Sequence, residues 1–365
     1  MLKQVQFQGI KSLLDVTVDL EPFTVLVGPN GCGKSTLLDQ IELLGALSRP
    51  EPSPANSFGA AGMCFGAVDP DGLQTLGAEH SKLWRGADAS GARFKVVVQA
   101  KASNVAWSGR MGVFARPADS EGERRVTGSP GEDRRALEAV LEGMERWTAQ
   151  RLALVPRDIA RPAEVTLLDL EPNGYGLPTV LKDLAANHTR RYLDLQADLR
   201  RVVPHFRELR IGKSALYRPE PLSGQVPLNT LEFVMVQGTV PAARVSDGTL
   251  IALALLTAVH NPDLPRIVLL DDIDHGLHLG AQHEMIKAIR AVQKVRPELQ
   301  VICTTHSPVL LDSFEVAEVR VMALDKDGHT VVKPLKDHPK VDSWRAGFSP
   351  GELWANLGED WVING

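Results

Sequence analysis

The sequence predicts an α/β fold with a mainly parallel sheet flanked by helices. Three observations carry that prediction. A short apolar strand, Phe23–Val27, runs into the glycine-rich loop Gly28-Pro29-Asn30-Gly31-Cys32-Gly33-Lys34-Ser35-Thr36 and then into a helical pattern. Two further apolar strands, Arg266–Leu270 and Gln300–Thr304, alternate with amphipathic helical stretches over 247–258 and 281–294. The N-terminal segment reads as strand, turn, strand before the glycine loop is reached, with Val5–Ile10 and Val16–Leu20 as the strands.

The remaining elements come in order. A helix is expected from Lys34 to about Leu47, with Leu37, Leu38, Ile41 and Leu44 on one face. Residues 48–62, rich in Pro, Ser, Ala and Gly, read as a loop leaving the core. The middle of the chain is weaker in pattern. Strands are expected at Phe94–Gln99, near Arg110–Ala115, at Phe206–Ile211 and at Leu231–Val236. Helices are expected over Arg135–Gln150 and over Pro178–Val203, the second broken near Asn187. Residues 118–134 are polar with Gly and Pro and form a candidate mobile loop. A short helix comes after Pro308. Val319–Leu324 and Thr330–Leu335 flank Asp327-Gly328, a hairpin signal.

Bulk properties narrow the class. The chain has 365 residues, ample for a buried core and for one large domain with an insertion, or for two domains. Its formal net charge of -5 gives no overall basic signal for nucleic acid. The three cysteines, Cys32, Cys64 and Cys303, are scattered, which argues against a disulfide framework and suits a reducing, cytoplasmic location. No apolar run approaches membrane-spanning length, and the start of the chain lacks a signal-peptide core.

The glycine loop fits G-x-x-x-x-G-K-[ST] between a strand and a helix, the context that phosphate binding needs. Its glycines let backbone N–H groups turn inward around anionic oxygens, and the helix N-terminus adds a favourable dipole. Lys34 is the candidate for the β and γ phosphates and Ser35 for Mg²⁺. Asp271 ends a buried strand, where a carboxylate is costly unless it serves a cation or donor. It is the second candidate for Mg²⁺, against the plain reading of a helix cap. Asp272 stands where a general base would polarise water, although it or Asp274 would equally serve as a cap for the next helix. His306, just past a strand end, suits a hydrogen bond to phosphate or to the attacking water, against a purely structural role. The run Val245-Ser246-Asp247-Gly248-Thr249, which alone would only open a helix, lies between the loop and the acidic strand end.

The order and spacing of these motifs resemble the ABC-type ATPase heads of the RecF, SMC and OLD (overcoming lysogenization defect) group, often termed AAA family ATPases. The resemblance rests on Gln8–Ser12, the loop Gly28–Thr36, the signature Val245–Thr249, the acidic segment Leu269–His278 and the switch Thr304–Pro308. It covers the two ends of the chain, the middle matching only in general layout. It implies a P-loop NTPase of ABC-type head architecture, with N-terminal antiparallel strands and an inserted α+β lobe. The expected layout is a discontinuous core of 1–47 and 241–340, an inserted lobe of 48–240 and a docked extension of 341–365.

The resemblance also implies roles. Pro29 to Thr36, with Lys11 and Ser12 nearby, would bind ATP. Ser246, Asp247 and Gly248 would act in trans on the γ-phosphate held by a second copy, and the loop Asp274–His278 would link the two sites. The chain departs from the family where the usual catalytic Glu is Asp272, one methylene shorter, so slow hydrolysis is expected. The family's glutamine between loop and signature is not evident, Gln74 and Gln99 being candidates. The stretch after His306 is short for the Toprim nuclease domain of OLD-type proteins. Asp325-Lys326-Asp327 imitates an Asp-x-Asp metal pair but reads first as a hairpin rim. Trp344, Trp354 and Trp361 read as anchors for a docked tail, with base stacking as the alternative. Arg124-Arg125, Arg134-Arg135, Arg190-Arg191 and Arg200-Arg201 are candidates for a phosphate-contacting face or for solvated surfaces.

The expectation is an ATP- and Mg²⁺-dependent ATPase that pairs with a second copy of itself. Its hydrolysis would be coupled to DNA transactions or to a separately encoded effector or nuclease, in DNA repair or anti-phage defence. The alternative is a nucleotide-gated scaffold with negligible turnover.

Overall fold

The computed structural model describes residues 1–47, 92–100, 103–111, 149–218, 224–344 and 347–364. In chain order the elements are β1 (Leu2–Ile10), β2 (Leu13–Asp19), β3 (Phe23–Val27), α1 (Lys34–Leu47), β4 (Ala92–Ala100), β5 (Ser103–Met111), β6 (Ala149–Leu152), α2 (Pro156–Ile159), β7 (Ala163–Glu164), α3 (Leu177–Asn187) and α4 (Thr189–Val202). Next come β8 (Phe206–Arg218), β9 (Gly224–Met235), β10 (Gly238–Pro241), α5 (Asp247–His260), β11 (Ile267–Leu270), α6 (Leu279–Val295), β12 (Gln300–Thr304), α7 (Pro308–Leu311), β13 (Val319–Leu324), β14 (Thr330–Pro334), α8 (Val341–Trp344), α9 (Pro350–Leu357) and α10 (Asp360–Asn364). They fall into two units, one of residues 1–149, 300–304 and 314–365, the other of 150–299 and 305–313.

The first unit holds two sheets. One is antiparallel, in the order β2-β1-β4-β5, and β1 pairs with β2 across the two-residue turn Lys11-Ser12. The other runs β14-β13-β3-β12, with β12 and β13 parallel to β3 and β14 antiparallel to β13. β3 and β12 are buried at every position, as strands covered on both faces must be, which explains their mainly apolar sequences, broken only by Thr24, Gln300 and Thr304. Gln300, fully buried at the start of β12, accepts from the Leu2 amide and donates to the carbonyls of Leu2 and Glu21, so its polar cost is met. α10 packs on β13 and β14, and Trp361 meets His338 edge-on at 4.9 Å. The indole N–H groups of Trp354 and Trp361 are buried. Both residues are half-buried as a whole, and the side chain of Trp344 lies outside the described residues.

The second unit is built around α5. This helix is buried at every position from Thr249 to His260, so its sequence is apolar all round rather than amphipathic. α3, α4 and α6 pack around it. Its C-terminal end is closed by Arg296, whose Nη1 donates to the carbonyls of Val259 and Asn261 at 2.7 and 2.8 Å. Burial lowers the pKa of that guanidinium, and Glu298 offsets part of the cost. α4 is tied to α5 through buried Asp198, which takes His260 on one oxygen and Arg201 on the other. β8 and β9 form a long antiparallel pair, flanked by β7 and β10 on β9. β6 and β11 are neighbours.

Several elements differ from the sequence reading. β5 spans Ser103–Met111 instead of lying near Arg110–Ala115, because its ladder with β4 pairs Ala92 with Met111 and Ala100 with Ser103. Ala149 and Gln150 open a strand rather than end a helix, the rest of that expected helix lying outside the described residues. The strands expected at Phe206–Ile211 and Leu231–Val236 are only the far ends of β8 and β9. The units also cut across the expected layout. β4 and β5, drawn from within 48–240, continue the sheet of β1, while residues 150–240 share a unit with α5. The expected loops 48–62 and 118–134 lie outside the described residues.

Candidate functional site

The phosphate loop leaves the C-terminal end of β3 and enters α1, which buries Leu37, Leu38 and Ile41. Gly28 turns the chain with φ 146°, and a Cβ there would lie 2.1 Å from the Met322 carbonyl oxygen, so only glycine fits. Lys34 is 7% exposed, and its Nζ donates to the carbonyls of Gly28 and Pro29 at 2.8 and 3.0 Å. The lysine is thus folded back over its own loop, its charge held against the turn that phosphates would fill. Ser35 is exposed at the start of α1, and Thr36 is half-buried. Cys32 is fully buried in the loop, and that burial pushes its thiol up. Lys11 sits at φ 49°, a left-handed conformation, in the turn between β1 and β2.

The second unit carries the acidic and signature residues. Asp271 comes directly after β11, and its carboxylate forms a charged hydrogen bond with Arg151 on β6. Asp272 has φ 50°, unusual for a residue other than glycine and best tolerated by Asp and Asn. Strain of this kind concentrates at functional sites. The Asp272 carboxylate is half-exposed and lies 3.9 Å from Nε2 of His306. Asp274 is placed differently, because its Oδ1 accepts from the Thr305 hydroxyl at 2.5 Å. Neither acid caps the next helix. The N-cap of α6 is His278, whose Nδ1 accepts from the Gly280 amide. A pocket of about 240 Å³ opens beside Asp271 and Asp272, walled by Leu152, Ile251, Leu255 and Leu270.

The signature opens α5. Ser246 and Asp247 are exposed, and Ser246 is the N-cap residue without a side-chain bond to the helix amides. Its hydroxyl instead meets that of Thr249 at 2.9 Å. The first amides of a long helix are therefore left uncapped by side chains, which suits an anion. Gly248 is needed for close approach, since a Cβ would lie 2.3 Å from the Gly276 carbonyl oxygen. The signature helix and the loop Asp274–His278 consequently touch backbone to backbone.

The structure brings together Asp272 with His306, and Gly248 with the loop after Asp272. Arg151 was not singled out by sequence, because no local motif surrounds it and its partner is 120 positions away. Gln74 and the side chain of Gln99 lie outside the described residues, as do Arg124, Arg125, Arg134 and Arg135. On α4, Arg190 pairs with Asp194, Arg191 donates to the Val295 carbonyl, Arg200 to the Arg207 carbonyl and Arg201 to Asp198. Each arginine of that helix thus has an internal acceptor. Asp325 accepts from the amides of Asp327 and His329, and these bonds hold its carboxyl below the usual range. It closes the hairpin turn, as the plain reading expects.

Two family models match these same segments. Residues 183–312, which include the signature, Asp271, Asp272 and His306, match the family described as "AAA domain, putative AbiEii toxin, Type IV TA system". Residues 4–59, which include the phosphate loop, match a family described as "AAA domain". An SMC head solved in complex with the C-terminal winged-helix domain of ScpA superposes with a TM-score of 0.52 at 15% identity, over 91% of this chain and 96% of that one. The fold is that of an ABC-type ATPase head. Two curated relatives align with parts of this head. The Septu protein PtuA of Bacillus thuringiensis is 32% identical over 91 residues, 25% of this chain and 22% of the relative. The OLD nuclease of Thermus scotoductus is 46% identical over 44 residues, 12% of this chain and 8% of the relative. The chain thus spans less than a quarter of the length of either. Among the described residues, no helix of the head is long and apolar enough to cross a membrane.

Proposed function

We propose that this head binds and hydrolyses ATP with Mg²⁺, as two copies that close around two nucleotides. The observation that carries the reading is the exposed, uncapped N-terminus of α5 at Ser246. A phosphate loop is in the same chain, so one copy supplies a bound γ-phosphate and another supplies the free helix amides to receive it. The closed pair is favoured only while the γ-phosphate is present, which makes hydrolysis the opening step.

Within each site Lys34 would leave its loop carbonyls for the β and γ phosphates. Hydroxyl and carboxylate oxygens are the donors Mg²⁺ prefers, so Ser35 and Asp271 fit it, and Asp271 is only partly buried. The metal would neutralise charge on the phosphates. Asp272 would accept a proton from the attacking water, and His306, 3.9 Å away, would hold the γ-phosphate or that water. Asp274 is less suited to the base role because Thr305 already occupies its Oδ1.

Arg151 adds a prediction. A guanidinium on Asp271 competes with Mg²⁺ and repels it. Arg151→Gln is expected to tighten Mg²⁺ binding by roughly 1 kcal/mol, about fivefold, after allowance for partial exposure. Magnesium titration of the protein with a fluorescent ATP analogue measures this. A second prediction concerns closure. Ser246→Arg places a bulky cation at the helix N-terminus, where the dipole opposes it. Pairing with ATP should be lost while binding of the ATP analogue to each chain stays within about twofold, since the phosphate loop itself is unaltered.

The biological work would be a DNA transaction or control of a separately encoded effector. Similarity to PtuA and to an OLD nuclease fits defence or genome maintenance. A second reading, a nucleotide-gated scaffold with very slow turnover, is favoured by one observation: the base position holds the short, half-exposed Asp272. Steady-state ATPase assays with and without DNA separate the two. DNA-stimulated turnover supports the enzyme, and tight ATP binding with negligible turnover supports the scaffold.

A further inference from the structure

The phosphate loop is held from behind by a residue far away in the sequence. Thr330 begins β14 directly after the Asp327-Gly328 turn and is 4% exposed. Its amide donates to the Ser12 carbonyl at 2.7 Å. Its hydroxyl oxygen lies 2.9 Å from the Cys32 carbonyl oxygen and 2.8 Å from the Ser12 hydroxyl. One hydroxyl proton serves one acceptor. With the Cys32 carbonyl taking the Thr330 proton, the Ser12 hydroxyl supplies the proton for the second contact. The fit on this side is close, since a Cβ on Gly33 would lie 2.6 Å from the Thr330 hydroxyl oxygen and 3.0 Å from that of Ser12.

The direction of the Cys32 carbonyl matters because of the peptide it belongs to. In a trans peptide the C=O and the next N–H point opposite ways. Anchoring the Cys32 carbonyl away from the loop centre therefore turns the Gly33 N–H toward it. A phosphate loop binds its anion through such converging amides, and each outward carbonyl needs a donor elsewhere. At φ 101°, Gly33 has conformational freedom that makes this peptide easy to misorient without an anchor.

We propose that Thr330 is a positioning residue for nucleotide binding, acting with Ser12 through the Cys32–Gly33 peptide. It touches no nucleotide itself, and the inference rests on the reading of the loop as an ATP site. It also ties the β1–β2 turn, which carries Lys11, to the same loop.

The test uses the full chain, a fluorescent ATP analogue and Mg²⁺. Thr330→Val keeps the shape and removes the hydroxyl. It should weaken analogue binding about tenfold and lower the melting temperature without nucleotide by only a few degrees. Thr330→Ser, which keeps the hydroxyl, should restore affinity to within about twofold of wild type. Wild-type affinity in Thr330→Val, or equal weakness in the valine and serine variants, would overturn the proposal. Should the valine variant not fold, Thr330→Ala takes its place against Thr330→Ser with the same two outcomes. A wild-type chain that does not bind the analogue defeats the ATP reading itself. A wild type that binds, with a valine variant that binds equally, defeats only the role of Thr330.

Discussion

Lys34→Ala is expected to lower ATP affinity by on the order of 100-fold, equivalent to about 3 kcal/mol. The side chain is nearly buried, and its ammonium is held by the Gly28 and Pro29 carbonyls within hydrogen-bonding distance. Those two carbonyls already order part of a long flexible side chain, so its charge is concentrated at the loop. Alanine removes the charge and leaves the glycine turn, whose shape comes from Gly28 against Met322. Isothermal titration with ATP and Mg²⁺ reads the loss directly. Unchanged affinity would mean that the phosphates lie elsewhere.

Asp272→Asn is expected to cut turnover by about 10²- to 10⁴-fold and to hold the ATP-bound pair closed. Asparagine is the appropriate substitution because the residue sits at φ 50°, where Asn and Asp are tolerated and other side chains add strain. Loss of turnover is then a loss of the base and not of the backbone. His306, 3.9 Å away, keeps a polar neighbour in the variant. Single-turnover phosphate release compares wild type and variant. Equal rates would remove Asp272 from the mechanism and leave the short carboxylate unexplained.

Much of this head was legible in the sequence where burial forces a simple pattern. β3, β12 and α1 lie within a residue or so of their expected bounds. A strand buried on both faces is mainly apolar, and a phosphate loop sets the start of the helix behind it. The break between α3 and α4 fell where Asn187 and His188 interrupt the pattern. β8 and β9 were legible only at their ends. Their distal halves carry Gly212, Gly224 and Pro227, and cross-strand pairing rather than alternation sets their length. The signature helix, expected to be amphipathic, is instead buried all round. At the site, motif residues were legible singly, but their partners were not. The pairings Arg151 with Asp271, Thr305 with Asp274 and Thr330 with Cys32 join distant positions with no local signature. The Thr305 contact that sets Asp274 apart from Asp272 follows from no spacing rule.

The central claim is that ATP closes two copies of this chain around shared nucleotides. Light scattering on the Asp272→Asn protein with saturating ATP and Mg²⁺ tests it most directly, since that variant should not discharge its nucleotide. The account predicts the mass of one chain without ATP and of two chains with it, the shift being absent when Ser246→Arg is added. The mass of a single chain at saturating ATP, with ATP binding confirmed in the same sample, would contradict it.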